Sequence, residues 1–281
     1  MNFKNITVGI VTFKSEKVIY DCLNSIRYIK KIIIFDNSND LKTTKKIETK
    51  FPNIQIINSK VNLGYGCANN KIIQKCKTKY LFILNPDTIL KKNCEKELLK
   101  SLKVLKDDFS IISPLCNDKN YGFFDNRHKK LTKKIMNVEY VKGFAMLVNI
   151  RKIKKIGLFD KNIFLYLEEI DLCKRLNLLK EKILICKKAK VKHLSARSSN
   201  LGFEFEKCRN WHWMWSNFYY DKKHKGLINA YKNSIPRVIL DFFKLIVYFV
   251  FNYKKSIIYR YRLMGSIFAM LGLPSSYRPK I

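Results

Sequence analysis

Four groups of residues in this chain carry side chains able to do chemistry. The first is Asn85-Pro86-Asp87, directly after the apolar run Leu81–Leu84. A short, continuous apolar run reads as a strand buried on both faces. Pro86 has no N–H for a sheet ladder, so pairing stops there. Asp87 then stands on a loop at the carboxyl end of a central strand, where open α/β sheets bind ligands. A carboxylate in that place holds a divalent cation and, through it, a diphosphate. Its other reading is a turn residue capping a helix at Lys91.

The second is Asp36-Asn37-Ser38, at the tip of the run Ile32–Phe35. Asp36 can bond a ribose hydroxyl or a base edge, or serve as turn chemistry. The glycine-rich string Asn62-Leu-Gly64-Tyr-Gly66-Cys-Ala-Asn69-Asn70 forms the third group with its following helix. Glycines allow close backbone approach, and a helix N-terminus faces phosphate. It is not G-x-G-x-x-G and follows the third strand, so a dinucleotide site is discounted. The fourth combines Glu168-Glu169-Ile170-Asp171 with His193. Two carboxylates opening a helix supply a general base, or simply complement the helix dipole. His193, just past a short strand, is a second metal ligand, a phosphate contact or a structural residue.

The elements that must position these groups alternate in the first half. Apolar runs at Ile6–Phe13, Ile32–Phe35, Ile54–Ile57, Leu81–Leu84 and Phe109–Ile112 predict strands. Segments at Glu16–Tyr28, Gly66–Cys76 and Lys91–Lys106 predict helices between them. Such alternation predicts an α/β fold with a mostly parallel sheet flanked by helices. The Lys-rich stretch Asn117–Lys134 reads as an exposed loop. An apolar segment at Val138–Val148, a helix at Leu165–Leu179 and short strands at Ile183–Cys186 and Val191–Leu194 follow.

Strand signals end near residue 204, and aromatic residues crowd in. Residues 1–203 are therefore expected to form the catalytic domain and 204–281 a basic, aromatic-rich helical appendage. Of Trp211, Trp213 and Trp215, only the first and last share a helix face. Between Pro236 and Lys255 the polar residues fall three or four apart, a narrow polar stripe on an apolar helix. The longest apolar run, Leu245–Phe251, is far short of the ~20 residues that span a bilayer. A helix lying in a membrane interface, Lys and Arg toward the headgroups, is one reading. Packing against the catalytic domain is the other.

The chain has 281 residues and a formal net charge of +34. A surface so basic seeks polyanions: nucleic acid, anionic lipid or phosphorylated substrates. Part of the excess reflects heavy use of Lys, Ile and Asn throughout. The eight cysteines have no C-x-x-C spacing and form no zinc pattern. They read as reduced thiols of a cytoplasmic protein. The N-terminus enters a strand directly and lacks the h-region of a signal peptide.

Taken in order, the four groups resemble the family 2 glycosyltransferases of the GT-A fold, a Rossmann-like architecture, and most nearly their rhamnosyltransferase-like branch. Leu84-Asn-Pro-Asp-Thr88 resembles that branch's counterpart of the D-x-D metal motif. Val141-Lys-Gly-Phe-Ala-Met-Leu-Val148 is similar to its acceptor-side strand, and Gly157-Leu-Phe-Asp160 with Phe164–Leu172 to the stretch through its acidic helix. The likeness covers roughly residues 5 to 225. It implies inverting transfer from a nucleotide-diphospho-sugar, dTDP- or UDP-linked, to a glycan or a lipid-diphosphate-linked acceptor. Cell-surface polysaccharide synthesis, at the inner face of an anionic membrane, is the implied setting. It implies that Thr12, Asp36, Asn62, Gly64, Asn70 and Asn85 bind the donor. Asp87 and His193 would bind Mg²⁺ or Mn²⁺. Glu169 would be the base, with Glu168 and Asp171 orienting the acceptor or the helix.

Three departures stand out: Lys14 where that family usually has Asn, Glu168-Glu169 for Glu-Asp, and Ser195-Ala196 for Gly-Gly. Two other classes remain in view. A basic nucleic-acid-binding protein would account for the charge but not for Asp87 or the acidic helix; with no nucleic-acid motif in the chain, no nucleic-acid partner is expected. A nucleotidyltransferase would need a Gly-rich loop after the first strand, where Thr12-Phe-Lys-Ser15 stands.

Overall fold

Each of the five apolar runs of the first half contributes a strand to one sheet. In this computed structural model, residues 3–116, 134–194 and 201–278 are described. After a short 3₁₀ turn the chain runs β1 (Ile6–Thr12), α1 (Glu16–Ser25), β2 (Ile32–Asp36), α2 (Leu41–Lys50), β3 (Ile54–Asn58), α3 (Tyr65–Lys75), β4 (Tyr80–Leu84), β5 (Thr88–Leu90) and α4 (Cys94–Leu105). It continues through β6 (Ile111–Cys116), β7 (Ile135–Asn137), β8 (Ala145–Asn149), α5 (Ile150–Ile156), α6 (Glu168–Leu178) and β9 (Ile183–His193). Three long helices close it: α7 (Gly202–Lys225), α8 (Leu227–Phe251) and α9 (Tyr253–Met270).

The strands lie in the order β3-β2-β1-β4-β8-β6-β9-β5, with β7 also paired to β9. From β3 to β4 every pairing is parallel, as alternating strands and helices require. Antiparallel pairing enters at β8, which separates β4 from β6. The sheet is thus mixed, with a parallel half that carries the loops of interest. Strands β1, β4 and β8 are buried along their whole length, so their continuous apolar sequences reflect cover on both faces.

Some boundaries differ from the expectation. Ile183–Cys186 and Val191–Leu194 are parts of one strand, β9, whose register against β6 shifts between Pro114 and Leu115. The extra residues, from Lys187, form a bulge that the sequence presents as a gap. Helix α2 is new, because its sequence LKTTKKIETK buries a single aliphatic residue, Ile47. Helix α4 starts at Cys94 with Asn93 as its N-cap residue, so Asp87 does not cap it. The Asn117–Lys134 loop falls almost entirely outside the described residues.

The chain divides into two compact units. The first comprises Met1–Asp160 and Glu169–Ser199, and holds the sheet. The second comprises Lys161–Glu168 and Asn200–Ile281, so the helical unit also takes in a short segment ahead of α6. Within it, Trp211, Trp215 and Phe218 of α7 pack with Ala230 and Ala269. Backbones approach closely there: a Cβ added at Gly265 would lie 2.2 Å from the carbonyl oxygen of Trp211. Trp213 is 41% exposed, in line with the helix-face reading of the three tryptophans.

Helix α8 is inverted relative to a water-facing amphipathic helix. Its polar residues Ser234 and Asp241 are buried, and Asp241 pairs with Arg262 of α9 at 2.9 Å. Tyr248 stacks on Tyr259 with centroids 5.4 Å apart. Ile235, Ile239, Phe242, Ile246 and Phe249, spaced as one helical stripe, are all exposed. Of the polar stripe, Asp241 and Tyr248 therefore meet the neighbouring helix, whereas Arg237, Asn252 and Lys255 are exposed. No helix among the described residues is long and apolar enough to cross a membrane.

Candidate active site

Parallel pairing of β1 with β2 sets Thr12 beside Asp36 at the carboxyl ends of both strands. The Thr12 hydroxyl donates to Asp36 Oδ1 at 2.9 Å, Ser38 Oγ donates to the same oxygen at 2.8 Å, and the Asp40 N–H donates to Oδ2 at 2.9 Å. Three of the roughly four acceptor positions of the carboxylate are thus spent on shaping the loop. Lys14, in that loop, adopts φ 48°. Asparagine tolerates this left-handed region better than most residues, so lysine is the less comfortable of the two here.

Asn37 was not singled out in the sequence, yet it joins two of the loops. Its Nδ2 donates to Gly64 O at 3.3 Å and its Oδ1 accepts from Leu63 N–H at 3.1 Å. Asn62 Oδ1 accepts from Gly64 N–H at 2.9 Å. Gly64 sits at φ 81° as α3 begins, a conformation open to glycine at little cost. Tyr65, next in line, donates its hydroxyl to Gly143 O at 2.6 Å. Asn70 faces another way. Both ends of its amide engage the backbone of Phe159, at 2.9 and 3.0 Å. It anchors the segment after α5.

Asp87 is 1% exposed, and neither of its oxygens makes a hydrogen bond among the described residues. The antiparallel pairing of Thr88 with His193 brings His193 Nε2 within 3.1 Å of Asp87 Oδ1. The imidazole lies flat on Phe144, centroids 4.4 Å apart. Asn85 Oδ1 is also buried and has no hydrogen-bond partner among the described residues. A buried carboxylate lacking donors is costly unless something else binds it. Two ligands on a divalent ion with bonds of about 2.1 Å at right angles stand roughly 3.0 Å apart, so this pair fits an octahedral cation. No cluster of three or more metal-binding side chains occurs among the described residues.

The acidic helix separates its carboxylates. Glu168 is buried and belongs with the second unit, whereas Glu169 belongs with the first. Burial raises the pKa of Glu169 above the ordinary carboxylate range, opposed by the Lys142 ammonium and by the backbone N–H groups of Glu169, Gly143 and Ile170. A raised pKa suits a proton acceptor working near neutrality. Asp171 is fully buried and pairs with Arg175 at 2.9 Å. Arg175 also donates to the carbonyls of Ile156, Gly157 and Leu158. Asp171 therefore orients the helix and the turn before it. Ser195-Ala196 lies outside the described residues.

A parallel half-sheet with loops at its carboxyl ends, joined to antiparallel strands that bring a histidine beside an acidic loop, defines a GT-A transferase. Its likeness to mannosyltransferase PcManGT of Pyrobaculum calidifontis, solved with GDP-Man and Mn²⁺, has a TM-score of 0.59 at 12% identity, covering 95% of this chain and 87% of that one. Residues 7–169 match the family model described as Glycosyl transferase family 2, and the chain belongs to that family. The SPbeta prophage-derived glycosyltransferase SunS of Bacillus subtilis is 26% identical over 162 residues, 52% of this chain. That match spans only 38% of the relative's length. Rhamnosyltransferase WbbL of Escherichia coli is 27% identical over 254 residues, covering 79% of this chain and 93% of its own.

Proposed function

We propose that this glycosyltransferase moves a sugar, rhamnose by likeness to WbbL, from a dTDP- or UDP-linked donor to a glycan or lipid-diphosphate-linked acceptor in cell-surface polysaccharide synthesis. The observation that carries this is the buried Asp87 carboxylate, without hydrogen bonds among the described residues and 3.1 Å from His193 Nε2. Asp87 and His193 would hold Mg²⁺ or Mn²⁺. When bound, that ion supplies charge stabilisation to the departing diphosphate, worth several kcal/mol by the usual estimate. The remaining acceptor position of Asp36 would take a hydroxyl or N–H of the nucleoside. Thr12 and Asn37 hold that loop in shape, and Asn62, Gly64 and Asn85 line the donor's path.

Glu169 takes the proton from the acceptor hydroxyl. The oxygen bonds to the anomeric carbon as the bond to the diphosphate breaks, so the configuration inverts and nucleoside diphosphate leaves. Glu168 and Asp171 position the helix that carries this base. The second unit would hold the enzyme on the inner face of an anionic membrane. The exposed apolar stripe of α8 supports this, together with the net charge of +34, since apolar area and basic charge act together at such surfaces.

A panel of dTDP- and UDP-sugars, screened for thermal stabilisation with Mn²⁺ or Mg²⁺, tests the reading, because a ligand that binds only the folded state raises its stability. One donor should stabilise the wild type in a metal-dependent way, and Asp87→Ala should abolish that dependence. Metal-dependent stabilisation that survives in Asp87→Ala would refute the site.

A further inference from the structure

Helix α7 carries Glu206, Arg209, Asn210 and Trp213 at successive three- and four-residue steps, which places them on one face. With Tyr166 they line a cleft of about 420 Å³ within the helical unit. Small-molecule sites run roughly 300–1,000 Å³. Arg209 Nε donates to the Tyr166 hydroxyl at 2.6 Å. The Trp213 ring meets Tyr166 edge-on, centroids 5.4 Å apart, and stays 41% exposed while Trp211 and Trp215 are buried. Arg262 Nη1 reaches Asn210 Oδ1 at 3.4 Å, so the amide is held from behind.

Backbone strain points to the same place. Tyr166 and Leu167 take φ of 69° and 68°, two consecutive non-glycine residues in the left-handed region. Such conformations cost about 1–3 kcal/mol each and persist where the surroundings enforce them. Here the Arg209 bond to Tyr166 and the bond from Ser216 Oγ to Leu165 O, 2.8 Å, do so. Tyr166 also lies three residues ahead of Glu169 in the chain.

We infer that this cleft binds a neutral pyranose ring of the acceptor glycan, stacked on Trp213 with its hydroxyls bonded by Glu206, Arg209 and Asn210. An indole face offers apolar contact to the C–H face of a sugar, while the carboxylate, guanidinium and amide provide both donors and acceptors. Glu206 offsets the charge of Arg209 and opposes a diphosphate, so the cleft does not duplicate the donor site. The same carboxylate disfavours an anionic bilayer as the occupant. The inference rests on the transferase reading, of which it specifies the acceptor side.

Saturation-transfer NMR on the full chain with methyl α-L-rhamnopyranoside, methyl β-D-glucopyranoside and methyl N-acetyl-β-D-glucosaminide tests it. At least one glycoside should receive saturation from the wild type. Its affinity should fall roughly tenfold in Trp213→Ala and less in Trp213→Phe, the usual scale for a stacked aromatic contact. Glu206→Gln, the second variant, should weaken it without altering the fold. Stabilisation by nucleotide and Mn²⁺ should be unchanged in all three. No signal from any glycoside with the wild type, or a signal that Trp213→Ala leaves intact, overturns the inference while the donor reading stands. A Trp213-dependent signal with no nucleotide stabilisation of the wild type would keep the sugar site and sink the transferase reading.

Discussion

Helix α8 offers a direct test of what covers its apolar face. Phe242 and Phe249 lie seven residues apart, hence on one stripe, and are 51% and 66% exposed. Burying a whole Phe is worth about 1.5–3 kcal/mol. Burying only these exposed fractions in lipid is then worth roughly 2–3.5 kcal/mol for the pair. Phe242→Asp with Phe249→Asp should weaken vesicle binding roughly 30- to 300-fold, with added repulsion from anionic headgroups. The remaining part of each ring packs within the protein, so the double substitution should also cost the fold roughly 1–2.5 kcal/mol. Flotation with vesicles of equal parts phosphatidylcholine and phosphatidylglycerol, alongside light scattering of the free protein, provides the readout. Equal flotation of double variant and wild type would refute the membrane assignment. A wild-type dimer that the double variant converts to monomer, without vesicle binding, would show that a second copy covers the stripe.

Three further outcomes follow from the site and the helical unit. Glu169→Gln should lower turnover roughly 10²- to 10⁴-fold with donor binding preserved. Because Lys142 lowers the Glu169 pKa and burial raises it, Lys142→Ala should move the acid limb of kcat/KM to higher pH; a shift to lower pH, or none, would contradict the pairing. Gly265→Ala should destabilise the protein by about 1–3 kcal/mol or more, the range for overpacked sites, since its Cβ would stand 2.2 Å from Trp211 O. An unchanged urea midpoint would show that α7 and α9 are not pressed together there.

Much of the first unit was legible because its signals are local. Leu81–Leu84 is wholly apolar, so only burial on both faces suits it, and β4 is buried throughout. Thr12 stands near the end of an apolar run and Asp36 and Asn85 follow theirs, so their place at strand ends came with the strands. Asn70 and Asn37 were not legible in the same way. A polar residue in a glycine-rich turn bonds a ligand or a neighbouring backbone equally well by type, and only the folded chain shows which. Helix α2 escaped because one buried Ile47 leaves no period to detect.

The sequence by itself determined most strands of the parallel half, the order of the acidic groups, and the existence of an amphipathic helix near residue 240. Tertiary structure alone decided three things. It put β8 antiparallel between β4 and β6, because pairing partners depend on long-range contact and not on a strand's own composition. It brought His193 to Asp87 through the β5–β9 ladder, two groups that sequence spacing leaves far apart. It also turned Asp241 and Tyr248 of α8 inward against Arg262 and Tyr259. A helical period shows that two faces differ, but which one meets solvent is set by the neighbours it packs against.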